Sequence, residues 1–333
     1  MGTKSLAPFG NTRMPALLIQ HCFKFDSLAS ASSLRGLLSS SDMPLLSSAH
    51  ATTSKSGKTK SVNKYSMQFT DCQYMQFTDC LCGRENGGNR ILGGTEVPNQ
   101  GFYPWVVKFS NRCAGTLVSD RWVVTVAHCI ASLSAASQLS MTFREHTLDS
   151  PNDPGEFRVS AAAILYYSGL YDSAKFNYDF ALVQLALPVP ITGLSNIRPV
   201  CLASQSFDFN GYTGIPVGWG FYENGVGREA SVLRETTVTL YNRVACLNSG
   251  GVPSSTSICG YAKGRGLCIG DNGAPMTVKS AGKHYFAGVA VNLHSGTGPN
   301  TCDTNRPHYY TQATFFTDVI TQYAWVFGNY CSY

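Results

Sequence analysis

From Ile91 onward, short apolar runs recur between turn residues. They include Trp105–Phe109 (WVVKF), Trp122–Val126 (WVVTV), Ala181–Leu187 (ALVQLAL), Ile215–Trp219 (IPVGW), Val232–Tyr241 and Tyr285–Val291. Short β-type runs repeated in this way predict the strands of a sandwich or barrel. The period changes near the end. Phe315, Phe316, Val319, Ile320, Tyr323, Val326 and Phe327 fall at helical spacing, and Thr314 stands where a cap belongs. The pattern therefore predicts an all-β body closed by a C-terminal α-helix. Residues 1–66 show no sustained period: Ser27–Ser56 is compositionally biased and runs into Lys55, Lys58, Lys60 and Lys64. A largely disordered leader is expected there, since so short a segment lacks the cysteines to staple a module of its own. From Met67 the chain repeats itself, MQFTDCQY then MQFTDCLC. A pair of copies cannot build a solenoid and reads as a local duplication.

Composition narrows the class. Hydrophobic residues make up 44% of the 333, enough for a real core, while only 14% are charged and Gly 32 with Pro 15 imply many turns. The net charge of +5 is modest and does not call for nucleic acid. No stretch is long and apolar enough for a transmembrane helix, so no membrane partner is expected. The twelve cysteines contain no C-x-x-C pair and scatter widely, which favours disulfides and an oxidising compartment over zinc. The N-terminus does not match a secretory signal: Met14–Phe23 is short and interrupted by Gln20 and His21. The reading favours a wrongly assigned start over an atypical signal. Glu145, Asp149, Asp153 and Glu156 share a loop that offers oxygens to calcium, but a solvated acidic loop is the plainer reading, and no metal or cofactor is expected. There is no N-x-[ST] sequon.

Four segments carry the chemistry: RILGG (Arg90–Gly94), VTVAHC (Val124–Cys129), YDFALVQL (Tyr178–Leu185) and CIGDNGAP (Cys268–Pro275). In this order, over residues 82–333, they resemble the chymotrypsin-like (trypsin-like) serine proteases. The resemblance implies two six-stranded antiparallel β-barrels with the C-terminal helix. It divides the chain into the leader 1–66, a cysteine-containing activation peptide 67–90 and a protease-like domain 91–333. It assigns the base to His128 and the orienting acid to Asp179. The family's nucleophilic serine position, in a G-D-S-G-G-P segment, falls on Asn272. A carboxamide has no hydroxyl for His128 to deprotonate, and loss of the nucleophile costs on the order of 10⁶ in turnover in a related protease class.

The resemblance implies further roles. The backbone N–H groups of Gly270 and Asn272 would form the oxyanion hole. The floor of the specificity pocket falls on Gly266, which is not the acid that a preference for Lys or Arg needs. His308 would project an imidazole into that pocket, and Leu293 replaces a glycine at its mouth. Arg90–Ile91 is the zymogen cleavage point, with Asp271 awaiting the new amino terminus. The implied disulfides are Cys82–Cys201, Cys113–Cys129, Cys246–Cys259 and Cys268–Cys302. Cys22, Cys72, Cys80 and Cys331 remain open, Cys80–Cys331 being one pairing. The leading expectation is a secreted, catalytically inactive homologue that binds an extracellular protein as cofactor or decoy, after cutting by a trypsin-like protease. The alternative is an active secreted endopeptidase, with Asn272 an error or a variant. A degenerate duplicate without a role is a third reading.

Overall fold

The computed structural model describes residues 4–5, 82–86, 95–150, 153–191, 196–222, 229–248, 253–292 and 301–327. The expectations for Arg90, Ile91 and Leu293, for the tandem repeat and for Cys22, Cys72, Cys80 and Cys331 lie outside these residues. So does the leader, apart from Lys4–Ser5, which pair in parallel with Leu165–Tyr166.

Twelve strands build two antiparallel barrels of six strands each. Barrel one comprises β1 (Val106–Phe109), β2 (Ala114–Leu117), β3 (Trp122–Thr125), β4 (Ser140–Phe143), β5 (Phe157–Tyr166) and β6 (Ala181–Leu185). Its pairings run β1-β2-β3-β6-β5-β4 and return to β1, leaving no open edge. Barrel two comprises β7 (Thr213–Gly218), β8 (Val238–Tyr241), β9 (Ser257–Tyr261), β10 (Pro275–Ser280), β11 (Lys283–Asn292) and β12 (His308–Gln312). It closes by the same circuit, β7-β8-β9-β12-β11-β10.

The apolar runs Trp105–Phe109 and Trp122–Val126 explain β1 and β3, and β2 lies between them without a run of its own. In β1, β2 and β3 every residue is buried, so the runs are continuous rather than alternating. β4 alternates strictly between half-buried and buried positions. Gly115 in β2 is dictated by packing: a Cβ there would lie 2.6 Å from Val123 and 2.7 Å from the Phe109 ring. The expected run Ala181–Leu187 stops at Leu185 because Leu187 turns out to solvent. Val232–Tyr241 is broken into Arg234–Glu235, which pairs with Thr95–Glu96, and β8.

Among the described residues two α-helices complete the fold, α1 (Arg243–Asn248) and α2 (Thr317–Phe327). The helical pattern begins as a tighter 3-10 turn over Ala313–Phe316, so Thr314 is buried within it rather than capping α2. Phe316, Val319 and Ile320 bury into the core that also holds Trp122, and the Tyr323 ring lies 5.3 Å from the Trp122 ring. The chain thus leaves barrel two and packs its last described element on barrel one. Four disulfides occur among the described residues: Cys82–Cys201, Cys113–Cys129, Cys246–Cys259 and Cys268–Cys302.

Candidate active site

His128 sits on a 3-10 turn, Ala127–Cys129, directly after β3. The turn is fixed on its far side, where the Cys113–Cys129 bridge ties it to the entrance of β2. Asn111 Nδ2 also donates to the Cys129 carbonyl at 2.6 Å. Asp179 lies two residues before β6, the partner of β3, so the β3–β6 register brings the two residues together. The Asp179 carboxylate takes two bonds from the same residue: the His128 backbone N–H at 2.9 Å and ring Nδ1 at 2.6 Å. Asp179 is fully buried, while the His128 side chain keeps 23% of its surface. With Nδ1 turned to the acid, Nε2 is the nitrogen that faces away from it, the arrangement of a base held in one orientation.

Asp179 is itself held by distant residues. Phe180 stacks on Phe316 with centroids 4.1 Å apart, and Tyr178 packs edge-on against Phe315 at 5.8 Å. Thr311 Oγ1 donates to the Asp179 carbonyl at 2.7 Å. Barrel two and the run into α2 therefore clamp the acid of barrel one. Nothing local in the Tyr178–Leu185 segment reveals this; only the aromatic pair Phe315–Phe316 hints at it.

The loop between the Cys268–Cys302 bridge and β10 brings Gly270, Asp271 and Asn272 into one tight turn. Asp271 N–H donates to the Cys268 carbonyl at 3.0 Å, and Ala274 N–H to the Asp271 carbonyl at 2.9 Å. Gly270 and Gly273 adopt φ of 99° and 81°. The Asn272 carbonyl accepts from Ala114 N–H at 2.9 Å, and Gly273 N–H donates to Ala290 at 2.9 Å, so the turn is pinned to both barrels. A Cβ on Gly273 would lie 2.2 Å from the Ala114 carbonyl and 2.6 Å from Thr125 Oγ1, near the end of the strand leading to His128. Among the described residues, the N–H groups of Gly270 and Asn272 have no backbone acceptor.

Asp271 points inward. Its oxygens accept from Gly220 N–H at 2.7 Å and Cys268 N–H at 2.9 Å. Gly218 and Gly220 make room for it, since a Cβ on either would lie 2.0 Å or 2.2 Å from a carboxylate oxygen. Burial pushes its pKa up to about 6, against the pull of the two N–H groups and of Lys108. A cavity of about 310 Å³ adjoins this carboxylate, lined among others by Gly218, Gly220, Gly266 and Thr304.

Gly266 and His308 also meet. A Cβ on Gly266 would lie 2.8 Å from His308 Cε1, so the imidazole rests on the glycine. His308 is buried at the start of β12, and its Nε2 is 3.2 Å from the Asp303 carbonyl. In the acidic loop, one carboxylate oxygen from each of Glu145, Asp153 and Glu156 comes within 4.8 Å of the others, and Asp149 stays outside the group. Burial, then the charges of Glu156 and Asp153, push the Glu145 pKa up to about 7. This all-oxygen set fits a hard cation such as calcium. A proton shared between Glu145 and Glu156 relieves the same repulsion.

The trypsin family model matches residues 91–320. The chain belongs to the trypsin family. Trypsin-family relatives include ovochymase-2 of Mus musculus, 29% identical over 251 residues, which cover 72% of this chain and 40% of that protein. Serine protease 56 of Mus musculus is 32% identical over 258 residues, covering 71% of this chain and again 40% of the relative. Coagulation factor IX of Cavia porcellus is 28% identical over 210 residues, 60% of this chain and 71% of the relative. The chain thus spans well under half the length of two of these trypsin-family proteins.

Proposed function

We propose that this trypsin-family chain is a secreted homologue without peptidase activity, which acts by binding a protein partner. The observation that carries the reading is Asn272 in the Asp271–Gly273 turn, where the family's G-D-S-G-G-P segment has its nucleophile. His128 presents a base, but a carboxamide nitrogen is delocalised into its carbonyl and offers no proton whose loss would make a nucleophile. The imidazole of His308 resting on Gly266 supports the same reading, because it occupies the floor assigned to the specificity pocket. The partner we propose is an extracellular protein of a proteolytic cascade, with the chain as cofactor or decoy. Cutting after Arg90 by a trypsin-like protease sets its conformation, with Asp271 as the receiving carboxylate.

One observation favours the second reading, an active secreted endopeptidase in which codon 272 encodes serine. The His128–Asp179 pair is kept at 2.6 Å. The test compares the chain cut after Arg90 with its Asn272→Ser variant, by fluorophosphonate labelling and peptide turnover. The natural form should neither label nor turn over, and the serine form should label at residue 272. Turnover by the natural form at ordinary protease rates, roughly 1 s⁻¹ or more, would sink the proposal.

A further inference from the structure

The segment Cys82–Asn86 lies against barrel two, and Gly83, Glu85 and Asn86 each make specific contacts. Gly83 is clasped on both sides of its backbone: its N–H donates to the Pro199 carbonyl at 2.9 Å, and its carbonyl accepts from His284 N–H at 2.7 Å. Its φ is +63°, and a Cβ would lie 2.3 Å from the His284 carbonyl, so only glycine fits. Glu85 divides its carboxylate, with Oε1 2.7 Å from His284 Nε2 and Oε2 accepting from Lys279 Nζ at 2.7 Å.

His284 is fully buried, 5.0 Å from the Trp105 ring and 5.5 Å from the Tyr103 ring, with Nδ1 2.8 Å from Thr277 Oγ1. Thr277, His284, Glu85 and Lys279 thus form one polar column from the interior of barrel two to its surface. Asn86 Nδ2 donates to the carbonyls of Gly101 and Asn196, both at 2.8 Å, and its Oδ1 accepts from Arg198. Burial alone would raise the Glu85 pKa, but the hydrogen bonds and charges of His284 and Lys279 outweigh it and hold the carboxylate at about 2. The acid is therefore charged at every ordinary pH.

None of these hydrogen bonds uses the Cys82–Cys201 bridge, although Cys201 Sγ helps crowd Gly83, lying 2.9 Å from where a Cβ would be. We propose that barrel two, together with Gly101, Asn196, Arg198 and Pro199 beside it, carries a binding site for a peptide of pattern Gly-x-Glu-Asn, read through its one glutamate carboxylate. The chain's own Gly83–Asn86 fills it, and the site retains that segment without the disulfide. Charge-assisted hydrogen bonds of this kind are the strong ones. The site is independent of the nucleophile question, and its consequence is that the upstream segment stays mounted on barrel two even if the bridge is reduced.

Amide hydrogen exchange on the full chain tests this. In a Cys82→Ser/Cys201→Ser double variant, the Gly83 and His284 amides should stay protected. Adding Glu85→Gln or Lys279→Met should speed their exchange by roughly 10- to 100-fold. Loss of protection in the folded double variant alone overturns the proposal. If the double variant does not fold, Glu85→Gln and Lys279→Met are read with the bridge intact. Faster exchange at Gly83 and His284, with Val107 in β1 unchanged, upholds the site, and unchanged rates at Gly83 and His284 overturn it.

Discussion

Barrel one closes as β1-β2-β3-β6-β5-β4 and barrel two repeats that circuit, yet the two treat a buried aspartate differently. In barrel one, Asp179 faces an imidazole and takes both a ring bond and a backbone bond from it. In barrel two, among the described residues, Asp271 accepts the N–H groups of Gly220 and Cys268 and feels Lys108 only through space. Dipoles stabilise a carboxylate less than a partner able to carry the opposite charge, and the Asp271 pKa accordingly rises to about 6. The two sites also rely on different supports. Asp179 is clamped by aromatic rings from the far end of the chain, whereas Asp271 depends on glycines that leave space. One strand order therefore serves two electrostatic solutions, and the loops decide which.

The aromatic clamp offers the largest break. Phe316 is buried against Phe180 at 4.1 Å and also touches Tyr167 and Tyr178. Phe316→Ala removes that ring and should cost about 3–5 kcal/mol, read as a lower urea midpoint. It should loosen barrel one first, so the His128 amide should exchange faster than the Gly220 amide. Equal loss at both sites would mean that the clamp supports the whole molecule and not the Asp179 side.

The pH dependence of stability tests the other half. Asp271 has a folded pKa of about 6 against an ordinary 3.8, so between those values the folded state binds the extra proton. Stability from this group is full below pH 3.8 and is lost as pH rises through about 6. The shift corresponds to about 3 kcal/mol. Glu85 acts oppositely: its folded pKa of about 2 gives stability present above 4.5 and lost as pH falls through 2. Between pH 4.5 and 6 the Asp271 slope should therefore stand clear of Glu85. Glu145 contributes a slope of the same sign there, so Asp271→Asn should reduce the slope in urea titrations without abolishing it, and an unchanged slope would show that Asp271 does not titrate in this window.

The all-β class was legible because several strands are short apolar runs between turns, whereas the two six-stranded barrels, and His128 and Asp179 within them, were legible only through the four segments that resemble the protease family. The break in Val232–Tyr241 was not legible: Arg234–Glu235 pairs with Thr95–Glu96, a partner far away in the chain. The same holds for Gly218 and Gly220, whose role appears only when Asp271 arrives from the other side of the fold. The Glu85–His284 contact spans 199 residues, and no local pattern marks it. What stayed hidden is non-local and polar, while the hydrophobic period is local and could be read.

The acidic loop sharpens the comparison at the smallest scale, since it is a third way to bury a carboxylate. Glu145 is half-buried, hydrogen-bonds to Glu156 and feels Asp153, so its pKa is pushed up to about 7. Below that value it holds a proton and donates to Glu156; above it, like charges crowd one another. Glu145→Gln keeps a donor toward Glu156 and never ionises. At pH 8 it should raise the urea midpoint slightly, by less than about 1 kcal/mol for a partly solvated group. Below pH 4.5, where Glu145 is protonated both folded and unfolded, it should change nothing. Calcium should mimic the substitution in the natural chain at pH 8 and do less for the Gln variant, because it needs the charge that the variant lacks. If Glu145→Gln lowers the midpoint at pH 8, mutual repulsion is not what the loop has to overcome, and the proton on Glu145 cannot be its relief.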